Sequence, residues 1–188
     1  MRERIKEILL ESIQVKEELL RTKISEILDI ASLLTDCIKK GGKVILFGNG
    51  GSASDCQHIA AELVGRFQKE RKAMAAIALT SNTSVLTALA NDYSFDVVFA
   101  RQVEALAQKN DVVVAISTSG KAKNVYAGVK QAKKMGLKTI ALTGGDGGEL
   151  AKLADLSLVI PSLVTARIQE AHITIGHIIC ELIEEGAS

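Results

Sequence analysis

Tryptophan is absent, and the aromatic side chains are only four Phe and two Tyr. That excludes a base-stacking platform for single-stranded nucleic acid, which needs several rings. A surplus of one charge is missing too: 23 Lys and Arg oppose 22 Asp and Glu, a net charge of +1. The basic footprint behind non-specific nucleic-acid binding is therefore lacking. Proline occurs once, and 47% of the residues are hydrophobic, which excludes Pro-rich and low-complexity disorder. Cysteine is sparse and odd in number. Cys37, Cys56 and Cys180 stand far apart with no C-x-x-C pair, which fits a reducing cytosol better than a secreted disulfide scaffold. The longest uncharged run, Ala73 to Ala90, is interrupted by Thr80, Ser81, Asn82, Thr83, Ser84 and Thr87, too many polar groups for hydrocarbon. The opening MRERIKEILLES is charged throughout and is no secretory signal. The expectation is a soluble cytoplasmic protein with no membrane and no nucleic-acid partner.

What is present is enough apolar material for a full core in one domain of 188 residues. Residues 1–40 contain neither Gly nor Pro, and Ile5, Ile8, Leu9, Ile13, Leu20, Ile24, Ile27, Leu28, Ala31 and Leu34 recur near helical spacing. This arm is one long or two consecutive amphipathic helices. A small domain has limited need for up to about 60 Å of helix, so the apolar stripe points to a helical bundle made with other subunits; a hairpin folded onto its own domain is the alternative. From residue 41 the pattern changes. KVILF (43–47), AAIAL (75–79), VVVAI (112–116), TIAL (139–142) and LSLVI (156–160) read as buried parallel strands. Helical patterns at 53–70, 82–90, 96–108, 122–135, 146–153 and 165–185 alternate with them. The prediction is a three-layer α/β/α fold with a five-stranded parallel sheet, the arm and the 41–188 core forming one unit over 1–188.

In such a sheet, ligands bind beyond the carboxyl ends of the strands. Two unusual loops fall there. After KVILF comes GNGGSASD, Gly48 to Asp55, running straight into a helix. Its glycines allow close backbone approach, and Ser52 and Ser54 can cap the helix, whose free N–H groups favour an anion. It is neither G-x-G-x-x-G nor a P-loop. After VVVAI comes STSG, where Ser117, Thr118 and Ser119 offer three hydroxyls suited to phosphate oxygens. Each loop alone could be an ordinary strand-to-helix turn. Together, and without a nucleotide fingerprint, they suggest a small phosphorylated ligand.

His58 and Glu62, spaced i, i+4, share a face of the helix that the first loop opens. The last helix carries Gln169, Glu170, His172 and His177. Histidine and glutamate are zinc ligands, although a lone His on an apolar face is more often a core residue. Cys56 faces away from His58 and reads as structural. Gln169 and His177 lie eight residues apart, about 12 Å of helical rise. Either the helix bends, or a neighbouring subunit supplies a ligand, or one of the two acts on substrate; a site at a subunit interface is favoured.

KVILFGNGGSASDCQHIAAEL, LTSNTSVLTALANDYSFD, ISTSG and TARIQEAHITIGHIICELIE together resemble the bacterial phosphoheptose isomerases of the sugar-isomerase (SIS) domain superfamily. The match spans about residues 40–185. The resemblance implies a homotetramer with active sites between subunits. It implies aldose–ketose isomerisation of sedoheptulose 7-phosphate to D-glycero-D-manno-heptose 7-phosphate, the entry to nucleotide-activated heptose for lipopolysaccharide and other surface glycans. Carried over by motif, Ser52, Ser117 and Ser119 hold phosphate with Thr118 nearby. Asn49, Gly50, Gly51, Asn91 and Asp92 line the sugar, and Arg66 lies near its charged end. His58, Glu62, Gln169 and His177 match positions associated with zinc, one ion per subunit, and Gln169 is also counted among the substrate contacts. Moving a carbonyl between C1 and C2 needs a base and an acid. Glu62 is the carboxylate for the first role, and His177 can shuttle the second proton because imidazole titrates near working pH.

Two departures stand out. The family loop reads STSGNS, whereas Lys121 and Ala122 follow STSG here, so one hydroxyl is lost and Lys121 either supplies a cation or faces solvent. Ala166 replaces an Asp that some members carry before the Arg of the RIQE motif. The rival reading is a non-catalytic SIS tetramer that binds the replication initiator or senses a sugar phosphate. Retention of Glu62 and His177 favours the enzyme.

Overall fold

The computed structural model describes residues 1–186; the last two residues of the 1–188 span lie outside it. The five apolar runs form β1 (Val44–Gly48), β2 (Ala76–Ala78), β3 (Val112–Ser117), β4 (Lys138–Gly144) and β5 (Leu156–Ile160), all parallel in the order β2-β1-β3-β4-β5. β1 and β3 are buried along their whole length, so their side chains alternate between two cores. Val44, Leu46, Val112, Val114 and Ile116 enter one core. Ile45, Phe47, Val113 and Ala115 enter the other, where the Phe47 ring stacks on Phe99 with centroids 5.0 Å apart. A continuous apolar run, not an alternating one, is what a strand covered on both faces requires.

The helices are α1 (Arg2–Thr22), α2 (Ile24–Lys39), α3 (Gly51–Val64), α4 (Thr83–Asp92), α5 (Val98–Leu106), α6 (Lys123–Lys134), α7 (Gly148–Leu153) and α8 (Thr165–Gly186), with one 3-10 turn at Phe95–Val97. α2, α3 and α8 supply the first core; α5, α6 and α7 supply the second. This is the three-layer α/β/α fold with a five-stranded parallel sheet and an N-terminal helical arm.

The arm is two consecutive helices joined at Lys23, and its halves behave differently. α2 buries Ile27, Ile30, Ala31, Leu34 and Cys37 in the first core. α1 buries only Leu19 and leaves Ile5, Leu9, Leu10, Ile13 and Leu20 exposed. The helix predicted over 53–70 begins at Gly51 and stops at Val64. Beyond it, residues 65–75 form an irregular segment that matters for the site. Chain order reverses between β1 and β3, the crevice position in doubly wound sheets. The loops after these two strands are GNGG and STSG.

Candidate active site

Gly48 ends β1, and its neighbours leave no room for a side chain: a Cβ there would lie 2.6 Å from the carbonyl oxygen of Ile116 on β3. Gly50 has φ +55, a left-handed conformation that glycine adopts without strain. This turn lets α3 start at once at Gly51, with Ser52 buried in its first turn. Asn49 and Asn124 exchange two amide hydrogen bonds: Asn49 Nδ2 donates to Asn124 Oδ1 (2.9 Å), and Asn124 Nδ2 to Asn49 Oδ1 (2.8 Å). The pair joins the β1 loop to the first turn of α6, which follows STSG. Asn49 was expected to line the sugar; its amide nitrogen and oxygen are both engaged with Asn124.

Ser117 closes β3 and is buried, while Ser119 is exposed. Gly120 (φ +62) packs directly on the backbone of Gly147 and donates its N–H to Ser117 O at 3.1 Å. The STSG loop is thereby fastened to the loop after β4. Beside it lies a cleft of about 330 Å³ at the carboxyl ends of β3 and β4, with Thr118, Ser119, Lys121, Ser162 and Thr165 in its wall. The Lys121 ammonium is in this wall, 3.4 Å from Asp146 Oδ2. Hydrogen bonding from the Gly148 N–H and from Lys121 holds the Asp146 carboxyl below its ordinary pKa.

Lower on the same face, α3 and α8 run side by side. Gln169 presses on Gly51, where any Cβ would strike its amide. Two turns on, His58 Nε2 lies 2.9 Å from His177 Nε2 and 3.2 Å from Glu62 Oε1. His58 therefore stands between a carboxylate and a second imidazole. The Phe67 ring covers His177, with centroids 5.4 Å apart and planes inclined by 27°.

The structure thus brings His58, Glu62 and His177 together, while Gln169 lies against Gly51 and, among the described residues, makes no hydrogen bond to those three. α8 is unbroken from Thr165 to Gly186, so the eight-residue step from Gln169 to His177 keeps its helical rise of about 12 Å. Gln169 packs on the GNGG turn at Gly51. As arranged, with the histidine nitrogens in contact with each other, no group of three or more His, Cys, Asp and Glu among the described residues is set to hold a metal ion. Asn91 and Asp92 are exposed on the last turn of α4 and bond to each other at 2.9 Å. Arg66 is exposed and pairs with Glu70 at 3.7 Å. Among the described residues no hydrogen bond or ion pair links these three to the other candidates. His172 is a core residue: it is fully buried and bonded to Thr143 O at 3.1 Å. Cys56 is fully buried as well.

Four residues that the sequence reading passed over shape the site: Asn124, Phe67, Arg71 and Asp55. Arg71 caps the carboxyl end of α3, with Nη2 donating to Glu62 O (2.8 Å) and Nη1 to Leu63 O (2.9 Å). Asp55 lies one turn before His58, and its Oδ2 is buried without a hydrogen-bond partner among the described residues. Burial pushes its carboxyl up to about 6, against the pull of His58. Asp55 follows the loop motif directly and so had a signal; the other three had none beyond their residue type.

Residues 9–144 match the SIS domain family. The phosphoheptose isomerase of Aquifex aeolicus is 53% identical over 185 residues, 98% of this chain and 97% of the relative. A probable phosphoheptose isomerase of Thermoplasma acidophilum is 58% identical over 166 residues, 88% of this chain and 91% of the relative. Among solved structures, the phosphoheptose isomerase of Neisseria gonorrhoeae superposes with a TM-score of 0.93 at 44% identity, covering 98% of both chains. That of Francisella tularensis gives 0.94 at 38% identity, with 97% of both chains covered. The full-length correspondence takes in both loops and both helices of the site, and the chain belongs to the phosphoheptose isomerases of the SIS domain family.

Proposed function

We propose that this chain is an aldose–ketose isomerase converting sedoheptulose 7-phosphate to D-glycero-D-manno-heptose 7-phosphate. The observation that carries the mechanism is the contact chain Glu62–His58–His177, two helices' worth of proton-accepting groups meeting below two hydroxyl-rich loops. In the open-chain ketose, a base removes a proton from C1 and an enediolate forms. Protonation at C2 and movement of a proton from O1 to O2 complete the aldose. Glu62 takes the C1 proton and returns it at C2. His177 carries the oxygen-bound proton, and His58, in contact with both, orients them. Ser117, Thr118 and Ser119, with the free N–H groups at the start of α3, hold the phosphate. Lys121, in the wall of the adjoining cleft, is assigned the cation that offsets the hydroxyl lost at Ala122.

Seven residues separate Gly51 from His58, about 10 Å along α3. A site divided in this way is completed either by a long ligand or by a neighbouring subunit. We assign a homotetramer with active sites between subunits. The support is the uncovered apolar face of α1 and a groove of about 380 Å³ lined by Leu20, Ile24, Leu28, Ile178 and Leu182. Zinc, one ion per subunit, is proposed at His58, Glu62, Gln169 and His177, two imidazoles and a carboxylate being donors it accepts. Bound there, the ion would polarise the substrate carbonyl, and the proton transfers above are assigned to side chains alone. Three free, buried thiols support a cytoplasmic location; among the described residues no helix is long and apolar enough to cross a membrane.

The test is turnover of sedoheptulose 7-phosphate followed by NMR, with and without zinc, beside fructose 6-phosphate and ribulose 5-phosphate. Heptose turnover alone is expected. A folded, metal-loaded protein that turns over none of the three would refute the assignment.

A further inference from the structure

The irregular segment after α3 is organised by one carboxylate from the far end of α8. Glu184 is buried, with 1% of its surface exposed. Its Oε1 accepts the N–H of Phe67 (2.8 Å) and Nε of Arg71 (2.9 Å). Its Oε2 accepts the N–H groups of Gln68 (2.9 Å) and Lys69 (3.1 Å). Burial works against this charge. The three backbone donors and the Arg71 guanidinium outweigh it and hold the carboxyl down at about 2.

Two of the partners of Glu184, Arg71 and Phe67, lead to the reacting groups. Arg71 carries the contact to the carbonyl of Glu62, fixing the last turn of α3 where the base stands. Phe67, tied at its N–H, lays its ring over His177. Glu184 follows His177 by seven residues, two turns on along α8. One carboxylate therefore spans from the helix of the acid to the helix of the base and seats the ring that covers the acid. A fold that needed only to close a surface loop could do so with exposed turn residues. Burying a charged pair is costly unless every contact is made, and here the contacts through Arg71 and Phe67 lead to the two groups that move protons.

We propose that Glu184, acting through Arg71 and Phe67, is a positioning residue that sets the Glu62–His177 geometry required for proton transfer. The proposal rests on the isomerase reading and adds to it residues other than the proton-transfer groups.

The test compares the full-length protein with Glu184→Gln and Phe67→Leu. Turnover of sedoheptulose 7-phosphate gives kcat and KM separately. Selectively labelled histidine gives the His177 ring resonances, which feel the Phe67 ring current. Glu184→Gln is expected to lower kcat about 10²-fold, the loss typical of an ångström-scale misplacement, with KM little changed and the His177 resonances moved. Phe67→Leu, which leaves the carboxylate and its donors in place, is expected to lower kcat with KM held and the melting temperature near wild type. Wild-type kcat in both variants, or a loss carried by KM, overturns the proposal. Should Glu184→Gln fail to fold, Phe67→Leu decides alone on the same criteria. Should the wild type prove inactive, the isomerase reading fails separately, and unmoved His177 resonances in Glu184→Gln overturn the positioning role on their own.

Discussion

Acidification should destabilise this protein through His172, a histidine outside the reaction. Its ring is fully buried on α8, one nitrogen bonds to Thr143 O at 3.1 Å, and Nδ1 has no partner among the described residues. Burial pushes its pKa down from 6.5 to about 4, the Thr143 contact working weakly the other way. The unfolded chain takes up a proton below pH 6.5, while the folded chain refuses it until about pH 4. Stability is therefore full above this window, falls as pH drops through it and levels off below. At about 1.4 kcal/mol per pH unit, the whole window costs roughly 3 kcal/mol, a large part of the 5–15 kcal/mol typical of a domain. The assay is urea unfolding across the window for wild type and His172→Gln, at one protein concentration because assembly also shifts stability. The glutamine keeps an N–H donor for Thr143 O and cannot ionise. Asp55, whose raised pKa acts in the opposite sense, is common to both proteins and cancels in the difference. The wild-type curve should fall more steeply, by roughly 3 kcal/mol over the window. Parallel curves would refute the reasoning and mean that the imidazole is reached by water or paired in the folded state.

Glu62→Gln should keep the fold and lose about 10²–10⁴ in kcat, the usual worth of a general base; full activity, measured by heptose turnover, would remove Glu62 from that role. Gly51→Ala should drive the Gln169 amide away from α3 at little cost in melting temperature, because only the end of a flexible side chain must move; kcat/KM should fall, and an unchanged value would detach Gln169 from the site. Leu20→Glu with Ile24→Glu puts charge on residues 69% and 59% exposed in the single chain. Sedimentation should show dissociation with helical content retained, and a tetramer that persists would place the interface elsewhere.

Much of the fold was legible because its signals are local. Five apolar runs too short for helices, each followed by a helical period, leave few arrangements other than a covered parallel sheet. His58 and Glu62 were legible as a pair because four residues make one turn. The offset of about 12 Å between Gln169 and His177 along one helix followed from helical rise alone. The end of α3 was not legible: residues 65–70 contain no proline, and Gly65 is an ambiguous stop. What ends the helix is Arg71, reaching back to its carbonyls from a run, QKERK, that reads as solvated charge. Glu184 hides in the same way, within an ELIEE ending that resembles any polar helix terminus. Its partners lie more than a hundred residues away, and no periodicity records such a contact. Asn124 is the same case across the two loops.

The doubled amide bond between Asn49 and Asn124 has a consequence for recognition. The two loops that would receive a ligand are locked to each other before any ligand arrives, and STSG is locked in turn to the Gly147 loop. Binding then spends little on ordering the receptor, so more of the contact energy appears as affinity. The same stiffness narrows the routes to a new specificity. Backbone shifts in one loop would have to be matched by the others, whereas a change of side chain at the cleft wall, as at Lys121, disturbs none of them. Diversity among proteins built this way should therefore accumulate at such wall positions, while the bridging asparagines act as the fixed frame.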